Sequence, residues 1–120
     1  MKILITNNRY TPLVDDIYKV RFLRIEETKT VYGPVWKPWF RVVEGKYRDC
    51  ELADLISKGP YGINSKFSRL VSALSGQRQK PGSIETDFLI DKDCYIKVEQ
   101  RGKNNAITEY IPLSDFQDIN

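Results

Sequence analysis

Ile17-Tyr18-Lys19-Val20-Arg21-Phe22-Leu23-Arg24-Ile25-Glu26 opens the stretch whose reading decides the fold. Tyr18, Val20 and Phe22 fall on one side of an extended chain, and Lys19 and Arg21 on the other. That period of two is the mark of a half-buried strand. The alternation slips at Phe22-Leu23 and resumes at Ile25. A slip of one residue reads as a β-bulge, which adds a residue to one strand and bends it. Residues 17–30 are therefore predicted to form one long, bent first strand, the element that a small closed barrel requires.

Beyond this strand the elements follow in short order. Tyr32-Gly33-Pro34 is a turn, and residues 35–44 form a second strand. Pro38 cannot donate to a ladder, so it predicts an edge position or a bulge. Gly45 and Lys46 turn the chain into a third strand, 47–53, with Tyr47 facing outward. Gly59-Pro60-Tyr61-Gly62 is a loop. Ser65 or Asn64 then caps a helix whose apolar residues, Phe67, Leu70, Val71 and Leu74, have i, i+3, i+4, i+7 spacing, and Gly76 ends it. A polar loop with Pro81-Gly82 leads to one helical turn at Asp87-Phe88-Leu89-Ile90. Cys94, Ile96 and Val98 alternate with Tyr95, Lys97 and Glu99 as a fourth strand. Gly102-Lys103-Asn104-Asn105 is a hairpin loop, and residues 106–113 return as the fifth. A shorter strand is predicted at 3–5.

The expected fold class is mainly β: a five-stranded, OB-fold-like β-barrel with one helix between strands 3 and 4. Another small α+β barrel satisfies the same element order. Residues 1–113 are read as one domain, and 114–120 as a short, acidic, frayed tail.

Composition narrows the function. The chain has 120 residues and a net charge of +3. The tail holds two acids and no base, which leaves residues 1–113 with 19 bases against 14 acids, or +5. This mild bias permits an anionic partner. There is no histidine, and the two cysteines, Cys50 and Cys94, sit in apolar strand patterns. They read as small buried thiols, with a disulfide between neighbouring strands as the other possibility. No zinc site, other metal site or cofactor is expected. Without histidine, paired carboxylates in a cleft or a Gly-rich phosphate loop, neither is an enzyme. The apolar run at 3–5 is far too short for a signal peptide or membrane span, so a cytoplasmic location with no membrane partner is expected.

The strand Val35-Trp36-Lys37-Pro38-Trp39-Phe40-Arg41-Val42-Val43 carries the clearest functional signal. Strict parity puts Lys37, Trp39 and Arg41 on the face opposite Phe40 and Val42. An aromatic between two cations suits a ligand that is flat and anionic, as single-stranded nucleic acid is. Trp36 falls on the Phe40 side by parity, but Pro38 disturbs the count and leaves both faces open to it. Lys19, Arg21, Lys97 and Arg101 extend a basic surface around Trp39, and Tyr47 and Tyr95 are candidate stacking partners. Glu26, Glu27 and Glu99 interrupt that surface. The alternative for the Trp-rich strand is a homo-oligomer or protein-partner interface. The basic loop Arg78-Gln79-Lys80-Pro81-Gly82 reads as a solvated connection.

Four spaced segments, Tyr18-Lys19-Val20-Arg21-Phe22 with Ile25-Glu26, Phe40-Arg41-Val42-Val43-Glu44-Gly45-Lys46-Tyr47, the helix from Phe67 to Gly76, and Tyr95-Ile96-Lys97-Val98 with Lys103-Asn104-Asn105, carry a resemblance. Across residues 17–113 the chain resembles the small OB-fold, single-stranded-DNA-binding-like proteins of phages and prophages. The resemblance implies the fold and single-stranded-DNA binding, and carries over no catalytic residue. It departs at Asp91-Lys92-Asp93, where a glycine is expected before the lysine.

Overall fold

The bend predicted at Leu23 is present. In the computed structural model, which describes residues 16–58, 65–77, 85–101 and 104–117, strand β1 (Asp16–Thr30) pairs antiparallel with β2 (Gly33–Val42). Phe22 faces Phe40, but Arg24 faces Trp39, so Leu23 is the extra residue of a bulge. Before it, the odd-numbered side chains point away from the core. After it, the even-numbered ones do. The remaining elements are β3 (Glu51–Ala53), β4 (Ile56–Ser57), α1 (Lys66–Ser75), a 3-10 turn (Thr86–Leu89), β5 (Asp93–Arg101), β6 (Asn104–Ile111) and a single helical turn α2 (Ser114–Gln117). All strand pairs are antiparallel, in the order β3-β2-β1-β5-β6, with β4 also on β2.

The fold is a mainly β antiparallel sheet with one substantial helix. It departs from the expected architecture in strand number, closure and the third strand. The described sheet has six strands rather than five, and the cause is Pro38. β2 is an interior strand and Pro38 is buried in it, so the expectation of an edge position is corrected. The registers Trp39↔Ala53 and Trp36↔Ile56 agree across the gap between β3 and β4, which sets Asp54 opposite Pro38. The Asp54 N–H donates to the Pro38 carbonyl at 3.1 Å, and proline has no N–H to return. One partner strand thus reads as two pieces.

The sheet is also not closed into a barrel. Among the described residues, β3 pairs only with β2 and β6 only with β5. Side chains span the gap instead. Tyr110 Oη on β6 donates to Asp54 Oδ2 at 2.7 Å. Lys66 Nζ, at the start of α1, lies 2.8 Å from the same oxygen and donates to the Ile107 carbonyl at 2.6 Å.

The third strand starts at Glu51, not at Tyr47. Residues 44–49 form a turn in which Asp49 adopts a left-handed φ of 73° and donates its N–H to the Val42 carbonyl at 2.8 Å. Asx residues tolerate this conformation better than most. A second bulge lies in the β5–β6 ladder, where Lys97 faces Glu109 and Val98 faces Ile107, leaving Thr108 unmatched. Asn104 and Asn105, expected in the hairpin loop, belong to β6. Ser114–Gln117 is helical rather than frayed. The predicted strand at 3–5, the loop at 59–62 and the basic loop at 78–82 lie outside the described residues, as do Gly102 and Lys103.

One side of the sheet is the core. Val20, Phe22, Phe40, Val42, Cys94, Ile96 and Val98 are at most 1% exposed, and α1 covers them with Leu70, Val71, Ala73 and Leu74. Phe40 joins Phe22 and Tyr110 with ring centroids 5.8 and 5.7 Å apart. Ser65 caps α1, its Oγ accepting from the Ser68 N–H at 3.2 Å, and Gly76 closes the helix with φ 74°. No helix among the described residues is long and apolar enough to cross a membrane.

Both cysteines are free and buried. They lie on one inner row, with Cys50 against Val42, Val42 opposite Val20 and Val20 opposite Cys94. Three strand spacings, about 14 Å, separate them and preclude a disulfide. Burial pushes the Cys94 thiol up to about 12.

The departure noted at Asp91-Lys92-Asp93 has a backbone explanation. Asp91 has φ 70°, the conformation for which glycine is suited, and its N–H donates to the Phe22 carbonyl at 2.9 Å. Asp91→Gly is expected to keep or raise stability, by up to about 1 kcal/mol, whereas Asp91→Val is expected to lose about 1–2 kcal/mol. Urea unfolding midpoints with unchanged slopes measure both. Tyr110→Phe removes one donor from the mostly buried Asp54 carboxylate and is expected to cost about 1–2 kcal/mol in the same assay.

Candidate nucleic-acid interface

On the face away from the core, the registers assemble a mixed surface row by row. Glu51, Arg41, Arg21 and Asp93 stand side by side across β3, β2, β1 and β5. On one side of that row come Ala53, Trp39 and Arg24, then Lys37 and Glu26. On the other come Lys19 and Tyr95, then Ile17, Lys97 and Glu109. Seven of the predicted residues, Lys37, Trp39, Arg41, Arg21, Lys19, Tyr95 and Lys97, therefore share one face.

Trp39 is held by its neighbours on β1. Its indole N–H donates to Glu26 Oε1 at 2.9 Å, and Arg24 Nε donates to Glu26 Oε2 at 3.0 Å. The Arg24 guanidinium carbon lies 5.0 Å from the ring centroid and Lys37 Nζ lies 4.7 Å from it. These are cation–π distances, each contributing on the order of 0.5–1 kcal/mol at an exposed site. The ring is thus fixed at its polar edge by a carboxylate and approached by two cations. Ala53 borders it on the β3 side.

Arg21 is clasped rather than available. Its Nε donates to Asp93 Oδ1 at 2.9 Å and its Nη2 to Oδ2 at 3.4 Å, and this contact raises the Arg21 pKa. Among the described residues, Lys19, Lys37, Arg41 and Lys97 have no carboxylate within ion-pair distance.

Three predicted residues fall elsewhere. Parity runs unbroken through Pro38, so Trp36 lies on the core side of β2, opposite Glu27 and Ile56. Lys58 Nζ sits 4.4 Å over the Trp36 ring while pairing with Glu27. Tyr47 belongs to the 44–49 turn, with its ring edge-on to Tyr18 at 5.8 Å and packed against the core. Arg101 shares the outward parity but sits at the β5–β6 hairpin end, facing Asn104 and 3.7 Å from Glu99.

Sequence reading misses Arg24 and Tyr32, and takes Glu26 as an interruption of the surface instead of the group that holds Trp39. Arg24 and Glu26 meet Trp39 only because the bulge shifts the register. With Leu23 counted as the extra residue, pairing β1 with β2 would have found them. Tyr32, at the β1–β2 turn, is 95% exposed beside Val31 at 94%. Its signal was an aromatic at the tip of a two-residue hairpin turn.

No protein-family model matches the chain, and no curated protein sequence matches it. The site therefore rests on its own geometry.

The contacts to Glu26 predict a pH response. Hydrogen bonds from Arg24 and Trp39 hold the Glu26 carboxyl below its usual range. Its folded pKa is depressed, so its contribution is present above the ordinary glutamate range and lost as pH falls through the folded value. In the Trp36→Phe protein, Trp39 fluorescence is expected to stay constant as pH falls into the ordinary glutamate range and to change only further down. Glu26→Gln should abolish that transition.

Proposed function

We propose that the outward face of β1, β2 and β5 binds single-stranded nucleic acid, single-stranded DNA in the first instance, with weak sequence preference and no catalytic step. The observation that carries this is Trp39, whose ring is fixed by Glu26 and flanked by Lys37 and Arg24, in the same surface as Arg41, Arg21, Lys19 and Lys97. Stacking on an aromatic contributes about 1–3 kcal/mol per base, and nearby cations neutralise phosphates. When a base stacks, Lys37 can leave the ring for a phosphate without breaking an ion pair.

The reading includes an OB-like topology. Three strands precede the helix and two follow it, if the interrupted β3–β4 is counted once, and β1 pairs on both sides. In that fold the faces of the second and third strands and the loop joining the first two strands contact nucleic acid. Here those are the Trp39 surface and the turn with Tyr32. The likeness to phage single-stranded-DNA-binding-like proteins points the same way, and a cytoplasmic setting suits the free thiols.

The second reading is a protein partner or a second copy on the same face, favoured by Ala53 beside Trp39 and by the exposed Leu55 that follows β3.

Titrating a labelled thymidine oligonucleotide at two salt concentrations separates the readings. Binding is expected at low salt and should weaken steeply as salt rises. Trp39→Ala is expected to weaken it about tenfold or more and to leave the oligomeric state unchanged. Absence of binding at low salt overturns the proposal. A change in oligomeric state with Trp39→Ala selects the partner interface.

A further inference from the structure

Glu26 is an unexpected residue at the centre of a surface proposed to bind a polyanion. Its carboxylate repels phosphate, yet it is the group that fixes the Trp39 edge. Both oxygens are oriented, Oε1 by the indole N–H and Oε2 by Arg24 Nε, and the group remains about half exposed. Each carboxylate oxygen can accept more than one hydrogen bond, so each retains acceptor capacity beyond these bonds.

A base stacked on the Trp39 ring places its own edge close to whatever borders that ring. On the β1 side the border is an ionised, pre-positioned acceptor. The chemistry of the base edges then differs sharply. Guanine offers two adjacent donors, N1–H and the N2 amino group, spaced to match the two oxygens of a carboxylate. Cytosine and adenine offer one amino donor each. Thymine and uracil offer a single N–H flanked by two carbonyls that a carboxylate repels.

We propose that Glu26 is a base-reading residue, which makes the Trp39 platform selective for bases carrying an exocyclic amino group, guanine foremost, over thymine and uracil. This rests on the reading of the face as a single-strand binding surface and refines its weak sequence preference into a preference at one position. The cations fix the backbone, and the carboxylate selects the edge, in the division between phosphate positioning and base readout seen generally. Arg24 completes the device by neutralising Glu26, so that a nearby phosphate is not driven away.

The test is fluorescence anisotropy with four nonamers: all-thymidine, and thymidine with one central deoxyguanosine, deoxycytidine or deoxyinosine. Deoxyinosine differs from deoxyguanosine only in lacking the amino group. The wild-type protein is expected to bind the deoxyguanosine nonamer about tenfold more tightly than the all-thymidine one, with deoxyinosine and deoxycytidine between. Glu26→Gln should bring the four together while retaining thymidine binding. Glu51→Gln removes an outward carboxylate that faces Arg41 instead of Trp39, and should leave the ranking intact. Equal wild-type affinities, or a ranking that survives in Glu26→Gln, would overturn the assignment of Glu26 and leave the binding surface standing. Loss of the ranking in Glu51→Gln as well would overturn it by showing that overall charge, not contact, sets the preference. Failure of every nonamer to bind at low salt would overturn the surface itself and the assignment with it.

Discussion

One carboxylate joins the parts of this structure that the backbone leaves apart. Asp54 sits where the partner strand of β2 is interrupted, and its Oδ2 meets both the Tyr110 hydroxyl and the Lys66 ammonium. Through these contacts the β3–β4 edge, the start of α1 and strand β6 are fixed to one another. The cluster stands where a closing ladder would run in a barrel. Its origin is local: Pro38 withholds a hydrogen bond, the strand opposite is cut short, and the side chain at the cut takes over the joining. A charged group so enclosed is costly to leave unpaired, so the three groups depend on one another.

The outward face follows a different logic. Its cations do not form a uniform field; acids are set among them, and Arg21 is committed to Asp93. Such a surface attracts an anion only modestly at long range and makes its distinctions at contact. The feature that sets it apart from ordinary solvated charge is the fixed aromatic. Trp39 is constrained at its edge by a hydrogen bond and at its ring by two cations, which lowers the entropy lost when a flat ligand settles on it.

The parts of the fold legible in the sequence were those with a strong local cause. The Leu23 bulge showed as a slip in alternation, the helix as a spaced apolar stripe between Ser65 and Gly76, and the inner faces of β1, β2 and β5 as period-two patterns. The errors came where a distant partner decides. Whether Pro38 lies at an edge depends on what pairs with both sides of β2, and closure depends on how β3 and β6 approach each other. Tyr47 alternates as a strand residue would, but a left-handed Asp49 turns the chain before the strand begins. For the site, parity along single strands placed Lys37, Trp39 and Arg41 together. Trp36 stays open in the sequence because a proline can break strand parity, whereas the backbone carries parity through Pro38 unbroken. Arg24 carries no such signal, because its neighbour on β2 is set by a register that one chain segment does not reveal.

The bulge at Leu23 also shapes what kinds of change this chain can absorb. Substitution there alters one side chain. Deletion would act on shape instead of on faces, because Phe22 pointing inward followed directly by Arg24 pointing outward is already a regular alternation. Ile25 would stay inward and Arg24 and Glu26 outward beside Trp39, while the bend that the extra residue puts into β1 would be lost. Length at this position therefore sets the curvature of the sheet, separately from residue identity. The sheet can thus change its curvature here without rewriting the surface it presents.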